Sequence, residues 1–365
     1  MNILHVNKLY APYIGGVETI ARDVVVASSG TVLCCVVRGS RQEAVVDGVR
    51  VIRAASFGRL FSVPLSIDFF WQFAKLAKQA DVIVYHHPFP LATLAHLLFA
   101  RKKKVVVWYH SDIVRQKFLN KLFRPFLKAS LARAARIVVA SQGLLKHSSE
   151  LSAYAQKTVV IPFSVDTEQY QRSPALEAQA AEIQSRYTQK PIILAVGRLV
   201  YYKGFLLLPE VLAGIPEAVC VLIGEGPLHT QIMQLAVERG VADRFVVLPP
   251  QADVRPYYMA ATVFAFPSTL PSEAFGLVQL EALASGLPVV NTNLASGVPE
   301  VSVDGVTGYT VAPNDAPALT QALSAIIRSS EVRAQFSAAA RARALEVYSK
   351  EQFQKAISQL FTSLL

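Results

Sequence analysis

Short, continuous runs of apolar residues alternate with longer amphipathic stretches along almost the whole chain. Such runs lack the alternation of apolar and polar residues found in a strand with one solvent-exposed face. They are typical of parallel strands covered by helices on both sides. We predict strands at residues 3–6, 31–37, 49–53, 82–85, 105–109, 137–140, 159–161, 192–196, 219–223, 246–248, 263–265, 289–291 and 309–311. The pattern therefore predicts an α/β protein built from doubly wound parallel sheets.

The length of 365 residues favours two domains, because single hydrophobic cores stop growing beyond about 250–300 residues. The boundary is predicted after residues 161–164, since polar residues 166–190 are typical of a linker and a helix that precede a second sheet. We expect domains at 1–165 and 166–347, followed by a helical segment at 348–365 for which a return to the first domain is the expectation.

Residues 82–100 form an uncharged, mostly apolar stretch followed by the basic run 101–104, which superficially resembles a membrane span. Residues 86–90, with the sequence His-His-Pro-Phe-Pro, would interrupt such a helix. We therefore predict a strand at 82–85, a loop, and a helix at 91–100, with no spanning helix.

Charge is unevenly distributed within the net charge of +10. Residues 1–165 hold 22 Lys and Arg against 8 Asp and Glu, a balance of +14, whereas the remainder is acidic. A basic amphipathic helix is indicated, suited to an anionic membrane surface or an anionic lipid-linked substrate. The alternative is a solvated helix face whose Phe118, Leu122, Phe123 and Phe126 face the core. The basic residues concerned are Arg101 to Lys104, Arg115, Lys117, Lys121, Arg124, Lys128, Arg133 and Arg136.

The amino end leads directly into a strand and lacks the charged start and apolar stretch of a secretory signal, so we expect a cytoplasmic protein. The three cysteines, Cys34, Cys35 and Cys220, are too few and too irregularly spaced for a disulfide framework or a zinc site. No Asp-x-Asp occurs, and His86 and His87, predicted to lie in a turn or an acceptor cleft, lack a carboxylate at ligand spacing. We expect neither a metal nor another cofactor.

Glu273 and Glu281 are separated by seven residues and bracket a candidate helix that begins after Phe275. The free N–H groups and positive dipole end of such a helix suit a diphosphate, and Gly276 lets the backbone approach it. The two carboxylates would accept hydrogen bonds from sugar hydroxyls on either side.

A second candidate element precedes this helix. The apolar strand 191–196 leads into Gly197 and Arg198, and Lys203 and Gly204 follow after a short loop. Arg198 offers a rigid fork of donors and Lys203 a mobile point charge, which together suit the leaving diphosphate of a nucleotide sugar.

With these two elements in order, nearly the whole chain resembles the retaining glycosyltransferases of family 4. The resemblance implies the GT-B fold, with two Rossmann-like domains facing a central cleft. It also implies hexose transfer from a nucleotide sugar to a glycan acceptor, in the expected case a polyprenyl-diphosphate-linked one, during surface-polysaccharide or O-antigen synthesis. The run 110–117, His-Ser-Asp-Ile-Val-Arg-Gln-Lys, is similar to bacterial members of this kind, many of which use GDP-mannose, so mannose is the first candidate.

The resemblance also assigns residues. His110 would face the transferred sugar, Asp112 would bind acceptor or orient a neighbouring group, and Glu300 would either cap a helix or line the site. His110, Arg198, Lys203 and Glu273 form the expected catalytic set. The expected donor-binding set is Gly15, Gly16, Gly197, Gly224, Gly226, Phe275, Gly276, Leu277, Val278 and Glu281.

The implied mechanism is metal-independent retaining transfer by same-face attack, because no convincing nucleophile presents itself and fixed cationic groups can stabilise the leaving diphosphate. Three alternatives stay open. A UDP-sugar donor fits the same motifs, and a GT-B-like sugar-nucleotide epimerase would share the architecture. A nucleic-acid-binding protein would explain only the basic half and lacks a recognition motif.

Overall fold

The computed structural model describes residues 1–13, 15–61, 63–112 and 117–364, and for 117–120 the backbone alone. The chain divides into two compact units. The first contains Met1–Phe163 and Phe353–Leu365, and the second contains Ser164–Gln352. Arg115 and the side chains of Lys117 and Phe118, which carry part of the predicted membrane-binding cluster, lie outside the described residues.

The first unit is built on an eight-stranded sheet with the order β10-β9-β8-β7-β1-β2-β4-β3, parallel except for the pair β3 and β4. A separate antiparallel pair, β5 and β6, forms a small hairpin. The strands are β1 Ile3–Val6, β2 Thr31–Cys35, β3 Gln42–Val46, β4 Val49–Ala54, β5 Arg59–Leu60, β6 Val63–Pro64, β7 Val82–His87, β8 Lys104–Tyr109, β9 Arg136–Val139 and β10 Thr158–Val160.

The second unit is built on a six-stranded parallel sheet with the order β13-β12-β11-β14-β15-β16. Its strands are β11 Ile192–Val196, β12 Val219–Ile223, β13 Phe245–Leu248, β14 Val263–Ala265, β15 Val289–Thr292 and β16 Gly308–Val311. Both sheets consist mainly of short runs with buried side chains, so the predicted α/β class with doubly wound parallel sheets is confirmed.

Helices cover the sheets. In chain order they are α1 Gly16–Ser28, α2 Asp68–Gln79, α3 Pro90–Phe99, α4 Lys117–Arg133, α5 Gln142–His147, α6 Pro174–Arg186, α7 Leu208–Ala213, α8 His229–Glu238, α9 Arg255–Ala260, α10 Leu277–Ala284, α11 Val298–Val301, α12 Ala316–Arg328, α13 Ser330–Tyr348 and α14 Lys350–Thr362. No helix in the described part of the chain is long and apolar enough to cross a membrane. Residues 82–100 instead form β7 and α3, as predicted.

One prediction in that stretch is wrong. His86 and His87 are not loop residues, because β7 continues through both and pairs with Trp108 and Tyr109 of β8. Each histidine is only 1% exposed. The turn begins at Pro88 and ends where α3 starts at Pro90, so the two prolines mark the turn while the preceding histidines complete the buried sheet.

The pattern also missed β3, an exposed edge strand with the mixed sequence Gln-Glu-Ala-Val-Val. It joins β4 through Asp47 and Gly48, which both have positive φ, 51° and 76°. Asp-Gly between two strands is a strong signal for a two-residue hairpin, so the dipeptide could have revealed this strand where hydrophobicity did not.

Five histidines of the first unit are buried: His5, His86, His87, His96 and His110. Burial lowers their pKa from 6.5, to about 4 for His5 and His96 and to about 3 for His87 and His110, and it lowers the pKa of His86 well below 6.5. All five imidazoles are therefore neutral in the folded protein at pH 7.

These shifts predict acid sensitivity. Between pH 6.5 and about 4 the unfolded chain binds protons at these histidines and the folded chain does not, so stability is present above pH 6.5 and is lost as the pH falls. Lowering the pH from 7 to 5.5 is expected to cost roughly 1 kcal/mol of unfolding free energy for each histidine, measured by urea unfolding. The variant His96→Gln should show a shallower dependence, and an unchanged free energy across this range would contradict the prediction.

Candidate functional site

The carboxyl ends of β11 and β14 mark the switch point of the second sheet. The chain runs from β11 outward to β12 and β13, and then returns to β14 on the other side of β11. In open α/β sheets ligands bind outside the strand ends at such a point. Gly197 follows β11, and Phe266 follows β14, so the predicted donor elements lie at this position.

Lys203 and Glu273 form an ion pair here, with 2.7 Å between Lys203 Nζ and Glu273 Oε2 and side chains that are 12% and 11% exposed. The Ser268 hydroxyl donates to the same carboxylate oxygen at 3.4 Å. Lys203 Nζ also lies 5.1 Å from the centre of the Phe266 ring, a cation–π contact. From the sequence, Lys203 was expected to bind the diphosphate and Glu273 the sugar hydroxyls of a nucleotide sugar. A direct contact between the two residues was not predicted.

Glycines allow the backbones of the surrounding loops to pack closely against one another. A Cβ on Gly197 would lie 3.5 Å from Lys203 Cε, and a Cβ on Gly224 would lie 2.0 Å from the Gly197 carbonyl oxygen. A Cβ on Gly226 would meet the Leu199 carbonyl oxygen at 2.6 Å. Gly224 and Gly226 therefore support the loop that carries Gly197 and Arg198 by close backbone packing.

Arg198 is exposed, and its guanidinium makes no hydrogen bond or ion pair with any residue that the structure describes. This contrasts with Lys203, which is held by a carboxylate and an aromatic ring. The loop thus presents one free, planar cationic group next to a fixed one, at the carboxyl end of a buried strand.

The helix predicted after Phe275 is α10. Gly276 precedes it in a left-handed conformation with φ 82°, and a Cβ there would meet Phe266 Cζ at 2.4 Å. The first turn, which begins with Leu277 and Val278, contains no acidic residue, so its positive dipole end is uncompensated by side chains of the helix. Phe275, which precedes Gly276, is only 3% exposed, and its ring packs edge to face against Tyr348.

Glu281 is the fifth residue of α10 and is largely enclosed. Burial raises the pKa of its carboxyl, while side-chain hydrogen bonds with Tyr258 and Tyr170 act in the opposite direction. The rings of Tyr170 and Tyr258 lie edge to face with centroids 6.1 Å apart. The two tyrosines are functional candidates that the sequence did not reveal, because their proximity depends on the tertiary fold.

In the first unit the switch point lies between β1 and β7. Lys8 follows β1, and burial lowers its pKa while the negative charge of Glu18 opposes the shift. Lys8 is a further functional candidate, and its position two residues after the first strand is the signal in the sequence that could have indicated it. Gly15 caps α1, and Gly16 is its first residue.

His110 follows β8 in the same sheet and is 7% exposed. Its Nε2 lies 2.9 Å from His86 Nδ1, with the rings stacked at 5.2 Å. A neutral imidazole so held offers hydrogen bonding and no positive charge. Asp112 accepts hydrogen bonds from the hydroxyls of Tyr109 and Ser148, both at 2.7 Å, which fixes its carboxylate.

Among the described residues, no group of three or more His, Cys, Asp or Glu side chains could hold a metal ion. In the second unit Glu300 follows Pro299 at the start of α11, a helix of four residues, and its carbonyl oxygen accepts from Tyr348 at 3.0 Å. The backbone of Glu300 therefore has a structural function.

Family models match both halves of the chain. The model described as glycosyltransferase family 4 matches residues 14–169, and the model described as glycosyl transferases group 1 matches residues 177–343. The O-antigen chain mannosyltransferase C of Escherichia coli is 30% identical over 100% of this chain and 99% of its own length. The chain belongs to glycosyltransferase family 4.

A second relative of this family-4 enzyme is the D-rhamnosyltransferase WbpZ of Pseudomonas aeruginosa, 32% identical over 88% of this chain and 86% of its own length. The crystal structure of Alr3699/HepE from Anabaena in complex with UDP has the same fold, with a TM-score of 0.80, 20% identity and 100% coverage of both chains. The structure of the lipopolysaccharide outer core galactosyltransferase WaaB also has this fold, with a TM-score of 0.73 and 16% identity over 100% of both chains. The predicted GT-B fold and hexosyltransferase activity are confirmed.

Proposed function

We propose that this glycosyltransferase moves a hexose, with mannose from GDP-mannose as the first candidate, to a lipid-linked glycan with retention of anomeric configuration. The observation that carries the proposal is the buried pair Lys203 and Glu273 at the switch point of the second unit, beside the start of α10. This arrangement offers a cation, a carboxylate and helix N–H donors, which are the groups that a sugar diphosphate requires.

The donor diphosphate would bind at the N-terminus of α10 and at Arg198 and Lys203. Glu273 neutralises Lys203, so the ammonium is held in place without an unpaired buried charge. An arriving diphosphate supplies a further anion for Lys203 and for the unpaired Arg198, and Glu273 keeps acceptor capacity for the hydroxyls of the hexose.

The chemical step that we propose is attack from the face of the leaving group. The acceptor hydroxyl oxygen bonds to the anomeric carbon while the bond from that carbon to the phosphate oxygen breaks, and the departing phosphate takes the hydroxyl proton. Arg198, Lys203 and the positive end of α10 would stabilise the developing negative charge. Glu273 would hold sugar hydroxyls and would not attack carbon, and the neutral His110 would hydrogen-bond a substrate hydroxyl.

The choice of GDP-mannose rests on the run after β8 and on relatives. One relative is named a mannosyltransferase, and a Mycolicibacterium smegmatis enzyme, 31% identical over 51% of this chain, is named as GDP-mannose-dependent. Isothermal titration with GDP-mannose, UDP-glucose, UDP-galactose, UDP-N-acetylglucosamine and a dTDP-sugar tests the choice. We expect GDP-mannose to bind most strongly. Stronger binding of a UDP-sugar would show that the donor is that UDP-sugar and not GDP-mannose.

Turnover is expected to persist in excess EDTA. Arg198, Lys203 and the N–H groups of α10 would supply the charge stabilisation that Mg²⁺ provides in other transferases. Nucleotide release should be measured with and without EDTA on the same preparation. Complete loss of release, with recovery on adding Mn²⁺, would show that a divalent ion is required.

We further propose that the enzyme works at the inner face of the cytoplasmic membrane on a polyprenyl-diphosphate-linked acceptor. The support is the basic first half of the chain and α4, where Lys121 and Lys128 are exposed. Leu122 is 69% and Phe126 47% exposed, so these two do not face the core, whereas Phe123 packs against it as the alternative expected. Arg124 is less available, because it pairs with Glu150 at 2.7 Å.

A further inference from the structure

Six large apolar side chains between residues 57 and 71 of the first unit lie in solvent. This group, the 57–71 surface, consists of Phe57 (75% exposed), Leu60 (55%), Phe61 (59%), Leu65 (46%), Ile67 (66%) and Trp71 (74%). Isolated exposed apolar residues are ordinary, but a set this dense within fifteen residues marks an interaction site.

Local structure keeps these side chains outside the core. The hairpin has only two residues in each strand, Arg59–Leu60 and Val63–Pro64, and is too small to bury its own apolar groups. It is nevertheless fixed, because Phe57 N–H donates to the Leu65 carbonyl and Leu65 N–H donates to the Gly58 carbonyl, both at 2.9 Å. The side chains of Phe57, Leu60, Phe61 and Leu65 therefore project from a formed hairpin.

The start of α2 extends this surface. Its inner face, Phe69, Phe73 and Leu76, is buried in the core, whereas Trp71 points outward with Lys75 and Lys78 in the following turns. The ring of Phe70 contacts that of Phe99 in α3, centroids 6.5 Å apart, and the neighbouring Leu98 is 59% exposed. The apolar area thus reaches a second helix.

The charged side chains of residues 57–79, which include the 57–71 surface, are mostly basic. The exposed basic residues of the hairpin and α2 are Arg59, Lys75 and Lys78, and the exposed Arg101 and Lys102 follow α3 closely in the sequence. Asp68 is the one acidic residue between 57 and 79, and it is engaged by Arg41 at 3.5 Å and by the Ala55 N–H at 2.9 Å. No free carboxylate in this part of the chain opposes an anionic partner.

We propose that the 57–71 surface inserts into the interfacial layer of an anionic lipid bilayer. Tryptophan prefers that layer, phenylalanine and leucine supply the buried apolar face of interfacial segments, and flanking lysine and arginine side chains bind its anionic headgroups. A protein partner fits less well, because lysine is depleted at protein interfaces. The inference rests on the proposed lipid-linked acceptor, and it assigns the apolar part of membrane binding to the hairpin and α2 instead of to α4.

The fluorescence of Trp71 can report on insertion of the 57–71 surface into a bilayer. Of its two tryptophans, Trp71 belongs to the surface, whereas Trp108 is fully buried in β8. With vesicles of phosphatidylethanolamine and phosphatidylglycerol, we expect the emission of the full-length protein to shift to the blue, and lipids with brominated acyl chains to quench it. The variant Trp71→Phe should show neither change on binding. An unshifted, unquenched emission from vesicle-bound protein would overturn the proposal.

Substitutions separate insertion from charge attraction. The double variant Leu60→Ser, Phe61→Ser should bind vesicles at least roughly tenfold more weakly, because each inserted apolar side chain contributes favourably. The matched control Val237→Ser, Leu345→Ser removes two exposed apolar side chains, 66% and 53% exposed, from the second unit and should bind as wild type. Equal vesicle binding by the hairpin variant would overturn the proposal.

Two further readouts isolate the causes. A blue shift that appears without lipid and grows with protein concentration would show that a second copy of the chain covers this surface, and would also overturn the proposal. Donor titration of the same variants should match wild type. If the wild type binds no nucleotide sugar and Trp71 still enters the bilayer, the proposed function fails while this inference stands.

Discussion

Replacing Arg198 by alanine is expected to lower turnover roughly a hundredfold or more while leaving the protein folded, because one donor to a developing oxyanion contributes about 2.7–4 kcal/mol. The Arg198 side chain is exposed and has no partner in the described residues, so its removal breaks no packing. The kcat of nucleotide release should fall while urea unfolding stays unchanged. Arg239→Ala, which removes an exposed arginine paired with Glu210 in the same unit, is the control and should keep wild-type turnover.

Lys203→Ala should lower turnover as strongly, but with a second effect. Glu273 would remain as a largely enclosed carboxylate without its cation, at a cost of about 3 kcal/mol in unfolding free energy. The double variant Lys203→Met, Glu273→Gln removes both charges and should recover part of that stability without activity. Near-normal turnover in both Arg198→Ala and Lys203→Ala would remove the diphosphate assignment.

Gly224→Ala should have a large effect although it changes none of the proposed charged groups. Gly224 has φ +152°, and a Cβ would lie 2.0 Å from the Gly197 carbonyl oxygen, so the loop that carries Arg198 must move. We expect a loss of about 2–4 kcal/mol in unfolding free energy together with loss of donor binding, measured by urea unfolding and calorimetry.

The matched control for this change is Gly240→Ala. Gly240 also has positive φ, +67°, but a Cβ there would meet no atom within 4 Å. It should cost only the backbone penalty of about 1–2 kcal/mol and leave donor binding intact. Equal effects of the two substitutions would show that contact with the Gly197 loop is unimportant.

Much of the fold was predictable because strands buried on both faces carry a local signal. β12, for example, has five consecutive buried side chains, and the predicted range 219–223 coincides with it. Strand residues that depend on pairing with a neighbouring strand were not predicted from the hydrophobic pattern. β3 is exposed and exists through pairing with β4, and His86 and His87 belong to β7 because β8 continues beside them.

The candidate site was predictable as a set of residues but not as a set of contacts. Arg198, Lys203, Gly276 and Glu273 follow from residue types and spacing. The ion pair of Lys203 with Glu273 joins residues 70 positions apart, and the enclosure of Glu281 by Tyr170 and Tyr258 joins three separate segments. Such contacts arise from the strand order around the switch point, which spacing along the chain does not encode.

The most direct test of the central claim is the anomeric configuration of the product. The enzyme should be incubated with GDP-mannose and a bacterial lipid extract, with GDP release followed and the new glycosidic linkage analysed by NMR. The account predicts acceptor-dependent GDP release that is nearly absent in Arg198→Ala, and a linkage with the configuration of the donor. An inverted linkage would contradict the same-face mechanism, and release at the wild-type rate in Arg198→Ala would contradict the proposed donor site.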